Sequence, residues 1–230
     1  MDNVSDMIEA IEEDVRATRW YLGKEALDAR VMQAMARVPR ERFLPADLAH
    51  YAYCNRPLPI DCGQTISQPF IVALMTDLLQ PDPDDVVLEI GTGSCYQAAV
   101  LSLLVRQVYT VEVVPELARN AEERLRRLGY ANVEVRAADG YYGWPEHAPY
   151  DGIIVTAAAP EVPEPLVAQL KPGGHLVIPI GLPRSHQELL VVDKALDGRV
   201  EHRSVLPVAF VPLTADAGAR VRRQGVSRPQ

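Results

Sequence analysis

Apolar positions recur at helical spacing early in the chain and gather into short solid runs later. From Met7 to Leu22 they fall at Met7, Ile8, Ile11, Val15 and Tyr21 with acids between them, which predicts an amphipathic helix. Leu27, Val31, Ala34, Met35 and Val38 repeat the pattern until Pro39 stops it, and the methionines read as core filling. Leu48 to Tyr51 predicts another helical turn. Tyr53 to Ile71 has no period; its prolines and small polar residues predict an ordered loop, and Phe70 to Leu79 a helix beginning after Pro69.

From residue 86 the rhythm changes. Strands are expected at Val86–Ile90, Val108–Val113, Val133–Ala137, Gly152–Ala157 and Leu176–Ile180. Helices are expected between them at Ala98–Leu104, Pro115–Leu128 and Pro163–Leu170, the second opened by Pro115 and ended by Gly129, the third closed by Pro172, Gly173 and Gly174. The alternation predicts an α/β, doubly wound, mostly parallel sheet. Glu188–Lys194 and Val200–Val211, flanking Asp197–Gly198, predict an antiparallel hairpin at the sheet edge. The expected organisation is an N-terminal helical region with a polar loop over 1–85, an α/β core with late edge strands over 86–213, and a flexible tail over 214–230.

The 230 residues and 48% hydrophobic content suit one large domain, or one with a small appendage. A net charge of −8 argues against a nucleic-acid surface, which needs clustered Lys and Arg. No charged start precedes an apolar core at the N-terminus, and no apolar run reaches spanning length, so a soluble, cytoplasmic protein without membrane association is expected. Cys54, Cys62 and Cys95 do not make a disulfide scaffold, although the first two could pair. His50, His147, His175, His186 and His202 show no ligand spacing with them, and no metal is expected.

The chemistry gathers around VVLEIGTGSCY, Val86–Tyr96. A buried strand runs into Gly91, Thr92, Gly93 and Ser94, and a helix follows. Glycine lets the backbone turn sharply and approach a ligand, and the helix start offers unpaired N–H groups. A dinucleotide fingerprint needs a third glycine where Tyr96 stands, and no Gly-Lys-Ser/Thr follows for a phosphate loop. Glu112 lies about 20 residues beyond the first glycine, where a carboxylate accepts ribose hydroxyls. A ribose acid without pyrophosphate features suits a nucleoside lacking phosphates, of which S-adenosylmethionine is the commonest as a cofactor. Gly91, Glu112, Asp139 and Thr156 all follow or end successive strands on the ligand-binding side of such a sheet. Asp139 could accept from an adenine amino group, though Asp–Gly is equally an ordinary turn. Gln64, Thr65, Ser67 and Gln68 make the loop before the core a dense set of hydrogen-bonding groups.

GQTISQPFIVALM (Gly63–Met75), VLEIGTGSCYQAAVL (Val87–Leu101), VYTVE (Val108–Glu112), LGYANVEV (Leu128–Val135), DGYYGWPEHAPYDGIIVTAAAPEVPEPL (Asp139–Leu166), QLKPGGHLVIPIG (Gln169–Gly181) and FVPL (Phe210–Leu213) together resemble the protein-L-isoaspartate (D-aspartate) O-methyltransferases. TISQP and VTAA, with GWPE between them, are far more specific than the glycine turn. The resemblance implies the S-adenosylmethionine-dependent methyltransferase fold and methylation of the stray α-carboxyl of L-isoaspartyl residues in damaged proteins and peptides. The ester then closes to a succinimide whose hydrolysis restores some aspartate. It implies a cytosolic monomer. By the same likeness Ser67 is the active-site serine, with Gln64, Thr65, Ile66 and Gln68 in the substrate loop and Val208 to Leu213 against the substrate peptide. Glu89, Gly91, Thr92, Gly93 and Ser94 match the first cofactor motif, Glu112 the ribose acid, and Asp139 with Gly140 the adenine-side pair; Thr156 completes the cofactor-side set.

An ionised carboxylate needs no strong base to accept a methyl group, so catalysis can rest on alignment. Ser67 then suits a positioning hydrogen bond rather than a covalent nucleophile, and no Ser-His-Asp pattern surrounds it. Cys95 departs from the family's GTGSGY. A Cβ and sulfur where glycine is usual either weaken cofactor affinity or are tolerated as a small side chain. Cys62 replaces a frequent histidine, and Ala138 a frequent glycine.

Overall fold

A computed structural model describes residues 3–182 and 185–214. Helix α1, Val4–Leu22, is capped by Asn3, whose side chain accepts from the Ser5 and Asp6 amides while Asp6 bonds back to the Asn3 N–H. Its Met7, Ile11 and Val15 stripe is buried. Helix α2, Ala29–Arg37, follows an Asp28 cap and buries Val31, Ala34 and Met35. The loop between Tyr53 and Ile71 is more regular than its composition suggests. Strands β1 (Leu58–Pro59) and β2 (Thr65–Ile66) pair antiparallel across a tight turn. Helix α3 runs Pro69–Leu78 with proline in its first turn.

The core elements are β3 (Val86–Ile90), α4 (Tyr96–Ser102), β4 (Gln107–Glu112), α5 (Pro115–Leu128), β5 (Val133–Ala137), β6 (Tyr150–Val155), α6 (Glu164–Gln169), β7 (Leu170–Gly181), β8 (Gln187–Lys194) and β9 (Val200–Val208). One seven-stranded sheet has the order β5-β4-β3-β6-β7-β8-β9. The first five of these are mutually parallel, and β8 and β9 run antiparallel to their neighbours. The expected parallel sheet with an edge hairpin is therefore present.

Alternate residues of each strand face opposite layers. Val87, Ile154, Val177 and Leu189 share one buried cluster with Met7, Ile11, Val31, Met35, Leu74 and Leu101. Leu88, Ile153, Leu176 and Val192 form the other with Leu166 of α6. The N-terminal helices thus complete the core of the sheet.

Most boundaries shift by a few residues from expectation, and three of the shifts have a visible cause. Helix α4 starts earlier and stops at Ser102, because Asn132 Nδ2 donates to the carbonyls of Ser102, Val105 and Arg106 and ends the helix there. Strand β7 takes in the Lys-Pro-Gly-Gly segment expected to close a helix. Leu170 pairs with Tyr150, and Gly174 packs so tightly that a Cβ would lie 2.5 Å from the Asp151 carbonyl oxygen. Strand β9 ends at Val208 rather than Val211, because the following residues cross to β6's extension: the Ala158 N–H donates to Val211 O and the Leu213 N–H to Ala158 O, both at 2.8 Å.

Cys54, Cys62 and Cys95 form no disulfide with one another. Among the described residues no cluster of His, Cys, Asp and Glu is arranged to hold a metal, and no helix is long and apolar enough to cross a membrane. The tail expected to be flexible lies, from residue 215, outside the described residues.

Candidate active site

Strand order reverses at β3, which lies between β4 and β6. Ligands bind open α/β sheets at such a point, beyond the strands' C-terminal ends. A cleft of about 760 Å³, counting the solvent at its mouth, opens there. It is large enough for a nucleoside bearing an amino-acid arm.

The glycine turn forms its floor. Gly91 has φ +94°, and a Cβ on it would lie 2.5 Å from Thr156 Oγ1. That hydroxyl donates to Gly91 O at 2.6 Å and approaches Ile90 O at 3.1 Å, so the residue after β6 braces the turn after β3. Glu112, ending β4, accepts from the Gly93 N–H at 2.9 Å through Oε2 and from the Val114 N–H at 3.0 Å through Oε1. A carboxylate has about four lone-pair sites, so two backbone bonds leave capacity for ribose hydroxyls. Gly140, after β5, admits no side chain, because a Cβ would lie 2.4 Å from Ile90 Cγ2.

Glu89 is fully buried on β3. Its Oε2 accepts from Thr110 Oγ1 at 2.5 Å, Thr110 Oγ1 in turn lies 2.7 Å from Thr92 Oγ1, and Oε1 has no hydrogen-bond partner among the described residues. Burial pushes the Glu89 carboxyl up to about 8; the Thr110 hydroxyl opposes that rise and the Glu112 charge adds to it.

The cleft wall comes from two further segments, one before the sheet and one after it. Gln64, Thr65, Ile66 and Ser67 line one side, and Val211 to Thr214, held against Ala158, line another. With Glu89, Gly91, Thr92, Gly93, Ser94, Glu112, Gly140, Thr156 and Leu213, most of the candidate residues therefore face one cavity. Gln68 and Val208 do not. They line an adjoining groove that shares Thr65, Ser67, Thr156 and Val211 with the cleft. Asp139 faces neither cavity; its Oδ1 accepts from the Tyr141 N–H at 3.0 Å and caps the turn that contains Gly140.

No Lys, Arg or His lines the cleft among the described residues, whereas Glu89 and Glu112 both do. That donor set is wrong for phosphates and right for a cationic nucleoside. S-adenosylmethionine fits: the floor lacks Cβ atoms at Gly91 and Gly93, Glu112 is free to take hydroxyls, and the unpartnered Glu89 oxygen suits a positively charged arm.

Cys95 sits in the glycine turn but outside the cleft's lining. Its backbone is left-handed, φ 61°, as expected of a glycine position. Its side chain, however, is buried away from the cleft, with Sγ 3.8 Å from Ala121 O on α5. Burial holds the thiol up at about 12, with the Arg124 guanidinium opposing, so it stays a thiol.

Three residues here carry no signal in the sequence. Gln97, in the first turn of α4, lines the cleft and donates from Nε2 to Thr76 Oγ1 at 2.8 Å. Gln187 clasps the Phe210 peptide, accepting its N–H at 2.7 Å and donating to its carbonyl at 3.3 Å. Asp14 of α1 reaches the loop between Tyr53 and Ile71, its Oδ2 accepting from Asn55 Nδ2 at 2.9 Å and Gln68 Nε2 at 3.1 Å. Only spatial neighbourhood distinguishes them from other amides and acids.

Comparison with known proteins agrees with this geometry. The family profile for protein-L-isoaspartate(D-aspartate) O-methyltransferase matches residues 17–218. The protein-L-isoaspartate O-methyltransferase 2 of Syntrophobacter fumaroxidans is 60% identical over 208 residues, covering 90% of this chain and 84% of that one. The protein of the same name from Nitrosococcus oceani is 58% identical over 214 residues, covering 93% and 97%. Among solved structures, a protein-L-isoaspartate O-methyltransferase superposes with TM-score 0.77 at 31% identity, covering 94% of this chain and 68% of that one. A Plasmodium falciparum structure in complex with S-adenosyl-L-homocysteine superposes with TM-score 0.72 at 25% identity, covering 90% and 98%. The chain belongs to the protein-L-isoaspartate(D-aspartate) O-methyltransferase family.

Proposed function

We propose that the protein transfers a methyl group from S-adenosylmethionine to the free α-carboxyl of L-isoaspartyl residues in damaged proteins and peptides, beginning their repair through a succinimide. The observation that carries this reading is the cleft's lining: two acidic side chains, no cation among the described residues, and Ser67 at its junction with a peptide-sized groove.

S-adenosylmethionine supplies an electrophilic methyl group on a sulfonium. The remaining work falls to the chain. Glu112 holds the ribose, and Glu89 with the 91–94 turn holds the cationic arm; Asp139 acts through Gly140, whose turn it caps on the adenine side. Thr65, Ser67 and Gln68 present the acceptor, with Ile66 beneath them and Val208 and Leu213 along the peptide. Ser67 donates to the carboxylate without giving it a full countercharge. A Lys or Arg there would stabilise the bound ground state and blunt attack. Alignment of oxygen, methyl carbon and sulfur is then the main source of rate.

Residues 1–85 bring the acceptor and residues 86–213 the donor, a division of labour within one packed core. A monomer in the cytoplasm, acting on proteins and not on nucleic acid or membrane, fits the family likeness and the net charge of −8. The test is methylation of matched peptides bearing isoaspartate or aspartate at one position. Base-labile methyl ester on the isoaspartyl peptide alone is expected; equal transfer to both, or to neither, overturns the reading.

A further inference from the structure

The groove beside the cleft has one charged residue in its described lining, Asp14. It stands on α1, a helix otherwise occupied with core packing. Its Oδ2 is fixed by two neutral amides, Asn55 Nδ2 at 2.9 Å and Gln68 Nε2 at 3.1 Å. Asn55 is itself anchored: its Nδ2 also reaches Ala10 O at 3.3 Å, and its Oδ1 accepts from the Phe70 N–H at 3.0 Å. Neither amide carries charge, and no Lys, Arg or His pairs with Asp14 among the described residues. The site is therefore a half-buried, oriented and uncompensated negative charge.

Its place relative to the acceptor follows from covalent geometry. Gln68 is bonded to Ser67, so the Asp14 carboxylate lies on the order of 10 Å from the carboxyl-binding serine, about two to three residues of extended peptide. The rest of the groove is uncharged, with Pro57, Phe70, Val208 and Phe210 among its walls. Main-chain recognition admits many sequences there, and a single fixed charge still sorts them.

We propose that Asp14 is a specificity-determining residue that favours acceptor peptides carrying Lys or Arg within three residues of the isoaspartyl position and disfavours those carrying Asp or Glu there. This rests on the isoaspartyl methyltransferase reading above. The positive side chain supplies the missing countercharge at the groove wall, while the isoaspartyl carboxylate keeps to the uncharged donors around Ser67.

The experiment compares kcat/KM for isoaspartyl peptides identical except for Lys, Gln or Glu, scanned one to three residues to either side, with wild type, Asp14→Asn, Asp14→Glu and Asp14→Lys. At the best position the wild type is expected to prefer Lys over Glu by about three- to tenfold, mainly through KM, with the ratio shrinking as salt rises. Asp14→Asn brings the ratio near one, Asp14→Glu restores it and Asp14→Lys inverts it. A merely structural role would lower all peptides together and leave the ratio unmoved. Equal kcat/KM for the three peptides with wild type, or a ratio that survives Asp14→Asn, overturns the inference. Failure to methylate any isoaspartyl peptide overturns the underlying reading and the inference with it.

Discussion

The Thr156 hydroxyl and the Gly91 carbonyl are 2.6 Å apart, and the same hydroxyl occupies the space a side chain at 91 would need. The ends of β3 and β6 are thereby locked at the point where the sheet opens. Gly91→Ala must displace Thr156 and adopt φ near +94°, a strain of about 1–3 kcal/mol. Its melting temperature is expected to fall, and calorimetric titration should show S-adenosylhomocysteine affinity reduced at least about tenfold. Thr156→Ser keeps the bond and should behave as wild type; Thr156→Val should lose affinity.

The two halves of the cleft separate by mutation. Ser67→Ala removes one donor to the acceptor carboxylate, so kcat/KM for an isoaspartyl peptide should drop about ten- to a hundredfold while cofactor affinity stays within about twofold. Glu112→Ala removes the proposed ribose acceptors and two bonds to the 93–114 backbone, and should weaken cofactor binding by a similar factor. Loss of cofactor binding in Ser67→Ala would contradict the assignment.

Glu89 makes stability depend on pH in an unusual direction. The folded carboxyl titrates near 8 and the unfolded one near 4.5. Between these values the folded protein holds a proton that the unfolded chain has released, so the contribution is full below about 4.5 and is lost as pH rises towards 8. The ligand-free protein should lose stability across this window relative to Glu89→Gln, whose denaturant midpoint should change less. Parallel pH profiles for the two would refute a raised Glu89.

Position 95 pits backbone strain against packing. Cys95→Ala keeps the left-handed penalty and loses the buried sulfur; Cys95→Gly loses the sulfur but relieves the penalty. Glycine should therefore be the more stable of the two by about 1 kcal/mol in denaturant melts. Because Sγ packs on Ala121 away from the cleft, cofactor affinity should stay within about twofold of wild type in Cys95→Gly.

Sequence periodicity anticipates the interior well. The β3, α5 and β5 bounds coincide with expectation because each has a hard stop: Gly91 after β3, Pro115 and Gly129 around α5, Asp139–Gly140 after β5. The expectation fails where tertiary pairing overrides a local breaker, as when Pro172, Gly173 and Gly174 lie within β7. Arg40 shows another limit. No local pattern marks it, yet it is wholly buried, donating to Ala52 O at 2.8 Å with its guanidinium 5.0 Å from the Tyr96 ring. At the site, the glycine turn and Ser67 stand out because turns and polar loops have compositional signatures. Asp14, Gln97 and Gln187 act through neighbours at least 20 residues away, which no local pattern encodes.

The segment Val211–Leu213 pairs with Ala158 and forms part of the cleft wall. During synthesis the parallel strands and the glycine turn emerge long before it. A ribosome-bound chain that has reached β7 has the glycine turn and Glu112 but lacks the Val211–Leu213 wall of the cleft. That wall thus waits on residues that follow every parallel strand, after the sheet that supports it can already have formed.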